Sequence, residues 1–173
     1  MIVLFHNLIT DTTSLRIVGN ERGGGGSPPV LFPRQDHNEP LPSSAVAVEG
    51  VDLNYGATTV TYRWDLDRNG WLRHQNGSPH VDADGAIVAP AIVIVQVVSY
   101  TRSAADGRSP EAVLLGEGRA LLLYQGHLVE GSWERREATA LTRYVDRFER
   151  AIALPPGSTW VALPRVGQVQ VVE

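Results

Sequence analysis

The sequence has no cysteine, which removes disulfides, thiolate nucleophiles and thiolate metal sites from consideration. It also has no lysine, so all 15 basic residues are arginine. Schiff-base chemistry and a Walker-type phosphate loop are therefore excluded. The arginines are scattered among 19 acidic residues, for a net charge of -4. No basic stripe invites nucleic acid. A long hydrophobic run is lacking too. The longest, Ala86 to Val98, is interrupted by Pro90 and Gln96 and falls short of the ~20 residues that a membrane-spanning helix needs. The opening Met1-Ile2-Val3-Leu4-Phe5-His6 has no basic segment and no extended apolar core, and is not expected to be a signal peptide.

What is present suits a globular chain. At 173 residues and 43% hydrophobic content, one domain, or one domain with a fragment of another, can form without a metal or disulfide. Asp11-Thr12-Thr13-Ser14 supplies helix N-caps, and Leu15 and Val18 fit a short helical turn. Gly23-Gly24-Gly25-Gly26-Ser27-Pro28-Pro29 is flexible and then stiff. It fits a natural loop or an engineered linker. Pro33, Pro40 and Pro42 make residues 30–43 an extended connector.

From residue 44 the texture is β. Thr58 to Trp64 is rich in β-branched and aromatic residues. Asp65-Leu66-Asp67-Arg68-Asn69-Gly70 is a turn cluster, and Trp71-Leu72-Arg73-His74 reads as the returning strand. Asn76-Gly77 and Asp84-Gly85 mark further turns. Ile92 to Val98 is a near-continuous β-branched run, suited to a central strand covered on both faces. Arg119 to Tyr124 and Leu128 to Glu134 flank a Gln125-Gly126 turn. Residues 138–150 are ambiguous: Leu141, Tyr144, Val145 and Phe148 fit helical spacing, and no clean alternation competes. Thr159 to Leu163 reads as a strand, and Val166 to Val172 as a last edge strand. The expected fold is α+β and predominantly antiparallel β. It is a β-sandwich or partly open barrel of about eight to nine short strands with one or two short helices.

With the turns placed, a family resemblance emerges. It rests on Tyr62-Arg63-Trp64-Asp65, Trp71-Leu72-Arg73 and Asn76-Gly77-Ser78-Pro79-His80-Val81-Asp82. It continues through Ile92 to Gln96, Gly116-Glu117-Gly118-Arg119-Ala120, Gly131-Ser132-Trp133 and Pro156-Gly157-Ser158-Thr159-Trp160-Val161. In this order and spacing, residues 44 to 164 resemble the C-terminal domain of the YerB-like family, bacterial lipoproteins sharing domain of unknown function 3048. His6-Asn7-Leu8 and Thr10 to Leu15 look like the end of that family's N-terminal domain. The resemblance thus implies a division into 1–22, a remnant of a preceding domain, 23–43, a Gly/Pro-rich linker, and 44–173, the mainly-β domain. The departure is at Asp146-Arg147-Phe148-Glu149-Arg150, where the family pattern has a turn glycine. The resemblance implies an extracytoplasmic protein, membrane-anchored at full length through a segment absent from this chain. It implies no established chemistry.

Two constellations could carry chemistry. Asp65, Asp67 and Asn69 place oxygens at alternate positions before Gly70, as a calcium loop requires. The twelfth position, which should be glutamate, is Asn76, and a hairpin turn explains the same residues. Arg73, His74, His80, Asp82 and Asp84 form the densest polar cluster. His80 and Asp82 would share a strand face, fit for acid–base work or a metal. Equally, Asp82 could receive Arg73 or cap a backbone amide. His6, His37 and His127 show no ligand spacing. Of four tryptophans, Trp64 and Trp71 flank one turn and fit a cross-strand pair. An exposed pair there would mark a binding surface.

The sequence therefore points to a non-enzymatic extracytoplasmic binding or scaffolding module without a cofactor. Its candidate binding residues are Arg73, His80, Asp82, Trp71 and Trp64. The expected partner is a cell-envelope protein or cell-wall polymer. The alternative is a metal-dependent or acid–base hydrolase using His80, Asp82 and Arg73.

Overall fold

The computed structural model describes residues 11–24, 30–36 and 39–173. His6-Asn7-Leu8, His37 and the Gly25 to Pro29 stretch lie outside the described residues. By compactness the chain divides into Met1–Val30 and Leu31–Glu173. The first unit holds one helix, α1 (Thr12–Glu21), capped by Asp11, whose Oδ1 accepts from the Thr13 and Ser14 amides at 2.8 and 2.9 Å. Satisfying these otherwise orphaned donors explains why the helix starts there. None of its residues is buried, so the cap rather than packing defines it. Among the described residues no helix is long and apolar enough to cross a membrane.

The second unit is a two-sheet β structure. Its strands, in chain order, are β1 (Val46–Ala47), β2 (Gly50–Asn54), β3 (Thr59–Asp65), β4 (Gly70–Gln75), β5 (Ser78–Pro79), β6 (Ile92–Gln96) and β7 (Tyr100–Arg102). They continue with β8 (Pro110–Ala112), β9 (Gly116–Tyr124), β10 (His127–Arg135), β11 (Arg143–Val145), β12 (Thr159–Ala162) and β13 (Val169–Val172). One sheet runs β1-β10-β9-β6-β12, with β11 also on β10. The other runs β13-β2-β3-β4-β5, and β7 and β8 form a small ribbon. Pairing is antiparallel throughout except between β6 and β12. The sandwich-like α+β expectation holds, with no closed barrel.

Turn chemistry fixes the registers. Gln125 and Gly126 both have positive φ (52° and 73°), as do Asn76 and Gly77 (50° and 79°). Two left-handed residues make the tight turn that matches strand twist. They lock His127 opposite Tyr124 and Ser78 opposite Gln75.

The first sheet has an apolar layer on each face. Val93, Val95, Leu121 and Leu123 pack against Val51, Leu53, Val60, Tyr62 and Trp71 of the second sheet. The alternate residues Ile92, Ile94, Leu122 and Tyr124 pack on the far face with Trp133, Tyr144, Ile152 and Leu154. All five residues of β6 are buried, which is why Ile92 to Val95 form an apolar run rather than an alternation. On the far face, part of the proline-rich connector docks. Arg34 bridges to Leu154, and the Leu154 amide donates to the Pro33 carbonyl at 2.9 Å.

Residues 138–150, ambiguous in sequence, hold the strand β11 with turns on either side of it. Val145 bridges to Ala151 across Asp146 to Arg150. Asp146 Oδ1 accepts from the Phe148 and Arg150 amides, and Glu149 takes the left-handed position at φ 61°.

Candidate functional site

On β4, alternation places Trp71, Arg73 and Gln75 on one face, and that face looks into the layer between the sheets. Trp71 fills an apolar place there and is 0% exposed. Arg73, two residues on, is 8% exposed. Among the described residues no carboxylate pairs with it, although seven other arginines make ion pairs. A buried charge without a counter-charge is costly, so its environment matters.

That environment is aromatic and neutral. The guanidinium lies 4.9 Å from the centroid of the Trp160 ring, a cation–π contact strengthened by desolvation. Its Nη1 lies 2.6 Å from His80 Nδ1, and its Nη2 donates to Gln75 Oε1 at 3.1 Å. A guanidinium only donates, so Nδ1 is the acceptor and the His80 proton sits on Nε2. The His80 ring meets Trp160 edge-on at 5.9 Å. Arg73 Nε is buried with no partner.

Arg73, Gln75 and Trp160 border an open cleft of about 450 Å³, lined also by Tyr55, Tyr62 and Tyr100. The Tyr100 hydroxyl donates to the Leu163 carbonyl at 2.7 Å. Burial pushes the Tyr55 phenol up to about 12, and pushes Tyr62 up against the opposing pull of Arg73. Both phenols thus remain neutral hydrogen-bonding groups. The cleft offers one cation, phenol hydroxyls, an amide and an indole face. Among its lining residues no nucleophile stands beside a base.

The remaining sequence candidates separate from this cleft. Asp82 does not bond His80 or Arg73; its Oδ1 accepts from the Asp84 and Ala86 amides, both at 3.0 Å, closing its own loop. Trp64 and Trp71 are direct cross-strand partners with ring centroids 5.1 Å apart. Trp71 is core and Trp64 half-buried, so they present no exposed pair. Asp65 accepts from the Arg68 amide at 2.8 Å and faces the Arg68 guanidinium at 3.2 Å. Asp67 and Asn69 are exposed on the four-residue turn that joins β3 to β4. Among the described residues no three acidic or histidine side chains gather as metal ligands would. A further cleft of about 500 Å³ is acidic, with Glu117, Glu134 and Glu149. Its Glu134 is already paired with Arg143 and Arg136.

Gln75 and the tyrosines were not among the site residues the sequence singled out. The signal for Arg73 was available: strict alternation from Trp71 puts a charge on an inward position. Trp160 joins it only through the pairing of β12 with β6, which spans dozens of residues and leaves no local trace.

Residues 51–161, more than half of the chain, match the family described as "Protein of unknown function (DUF3048) C-terminal domain". The chain belongs to the DUF3048 family. The matched region of this DUF3048 domain includes both Arg73 and Trp160. No curated protein matches the chain. Among solved structures, the crystal structure of YerB protein from Bacillus subtilis is similar, with a TM-score of 0.69 and 22% identity over 95% of this chain. That likeness shows the fold. The match covers 55% of the YerB chain, so this DUF3048 chain spans about half the length of that protein.

Proposed function

We propose that this domain is a non-enzymatic binding module, acting outside the cytoplasmic membrane, whose Arg73 cleft holds an anionic group of a cell-envelope protein or cell-wall polymer. The carrying observation is Arg73 itself: a core-facing cation, 8% exposed, with no carboxylate partner among the described residues. Such a charge is stabilised when a ligand supplies the missing anion, and guanidinium geometry suits carboxylate or phosphate. The extracytoplasmic placement is supported by the lipoprotein character that the family resemblance implies.

The test is capture from a solubilised envelope fraction on immobilised wild type and Arg73→Met. A protein or glycan retained by the wild type and lost on the variant, with both equally folded, is the expected outcome. Equal retention on both would remove Arg73 from recognition, and no retention on either would remove the envelope partner.

A further inference from the structure

We propose that the free edge of β12 captures an extended peptide by strand addition, its acidic side chains directed at Arg73 and its apolar ones into a second cleft beside Phe32. This rests on the reading of the Arg73 cleft above and names the class of partner.

Among the described residues β12 pairs with β6 alone, Trp160 opposite Val93 and Ala162 opposite Val95. The Ser158 and Pro164 carbonyls accept from Ile92 and Val98 at 3.0 and 2.9 Å. In a strand, alternate residues direct their N–H and C=O groups to opposite edges. The even-numbered residues therefore face β6, and Thr159, Val161 and Leu163 turn theirs outward. The Leu163 carbonyl takes the Tyr100 hydroxyl. No described backbone group pairs with those of Thr159 and Val161. Such a row is a template for another strand. Natural edges are usually guarded by charge or proline, and Thr159-Trp160-Val161-Ala162 contains neither.

The edge has a cleft on each side. On the inner face is the Arg73 cleft, with Trp160 and Ala162 in its wall. On the far face is a cleft of about 290 Å³ lined by Leu31, Phe32, Leu141 and Tyr144. Val161 and Leu163 line both, so both clefts open onto the same outward backbone. A strand laid along β12 would send successive side chains alternately into the two. The inner cleft has an unpaired cation and no acid in its lining; the outer is largely apolar. Charge complementarity thus selects acidic residues at every second position and apolar residues between them.

The experiment titrates the whole chain with an acetylated, amidated heptapeptide of alternating valine and glutamate, read by tryptophan fluorescence and calorimetry. Two versions are N-methylated at every second residue, one in each register. A third replaces glutamate with lysine. Val161→Pro removes one outward N–H while leaving the β6 pairing, because a proline is tolerated at an edge position whose N–H faces away from the ladder.

Saturable binding of the Val–Glu peptide is expected. It should weaken about tenfold or more with Val161→Pro, with the lysine peptide, and with only one of the two methylated peptides. Absence of binding, or two methylated peptides that both bind like the parent, overturns strand addition. The methylation result does not depend on the variant folding. If Arg73→Met still weakens the parent peptide while both methylated forms bind, strand addition fails and the cleft reading survives. Concentration-dependent self-association abolished by Val161→Pro would assign the edge to a second copy and overturn the peptide proposal.

Discussion

Arg73 occupies a position where β4 would otherwise place an apolar side chain between Trp71 and the sheet edge. A residue kept for packing loses stability when replaced; a buried unpaired charge should not. Arg73→Met is expected to unfold in urea within about 1 kcal/mol of wild type, or later than it, because replacing buried charge by apolar volume is often neutral or stabilising. A loss of several kcal/mol would instead make Arg73 structural. Glu149 makes the opposite kind of demand. It holds φ 61° in the turn after β11, a left-handed conformation that glycine adopts without cost. Left-handed backbone costs a side-chain-bearing residue roughly 1 kcal/mol or more, so Glu149→Gly is expected to raise the unfolding free energy by about that amount. The turn survives its absence because Asp146 caps two amides and pairs with Arg150 at 2.7 Å. Those contacts also hold the Asp146 carboxyl below its usual range.

At the scale of elements, strand locations were legible wherever turn residues bracketed a β-rich run. Asp65 to Gly70, Asn76-Gly77 and Gln125-Gly126 each joined the strands expected of them. Residues 138–150 were less legible because helical spacing and strand chemistry coincide over so short a stretch, and for β11 only packing against β10 decides. The reason that packing works is Gly131. A Cβ there would lie 2.2 Å from the Val145 carbonyl oxygen and 3.0 Å from Ile152 Cδ1, so β11 can lie against β10 only over a bare backbone. Gly131→Ala is expected to destabilise by roughly 3 kcal/mol. Gly107→Ala, with open space around it, should change stability by less than about 0.5 kcal/mol. Denaturant midpoints of the two variants measured side by side check both. The parallel β12–β6 pairing was invisible in the sequence, and with it the meeting of Trp160 and Arg73. Nothing in Thr159 to Ala162 specifies which strand it joins.

For the whole molecule, the two apolar layers impose a dependence on alkaline pH. Burial lifts the Tyr55 and Tyr144 phenols from 10.0 to about 12. A phenol whose folded value is raised favours the folded state in its neutral form. That stabilisation is complete below about pH 10 and is lost as pH rises toward 12. Denaturant midpoints should therefore fall across this window, and Tyr144→Phe should make the fall shallower. At neutral pH the same variant should cost about 1–3 kcal/mol, because Tyr144 donates to buried Gln96 at 2.7 Å. A different consequence follows from the tryptophans on the β3–β4 hairpin. Trp64 and Trp71 sit 5.1 Å apart with ring planes tilted by 57°, close enough for their electronic transitions to mix. Mixed transitions in a fixed chiral arrangement split into a couplet of opposite-signed circular-dichroism lobes, which a solitary indole cannot produce. The hairpin therefore carries its own optical reporter, one that fades when the β3–β4 ladder opens even while other strands keep their signal.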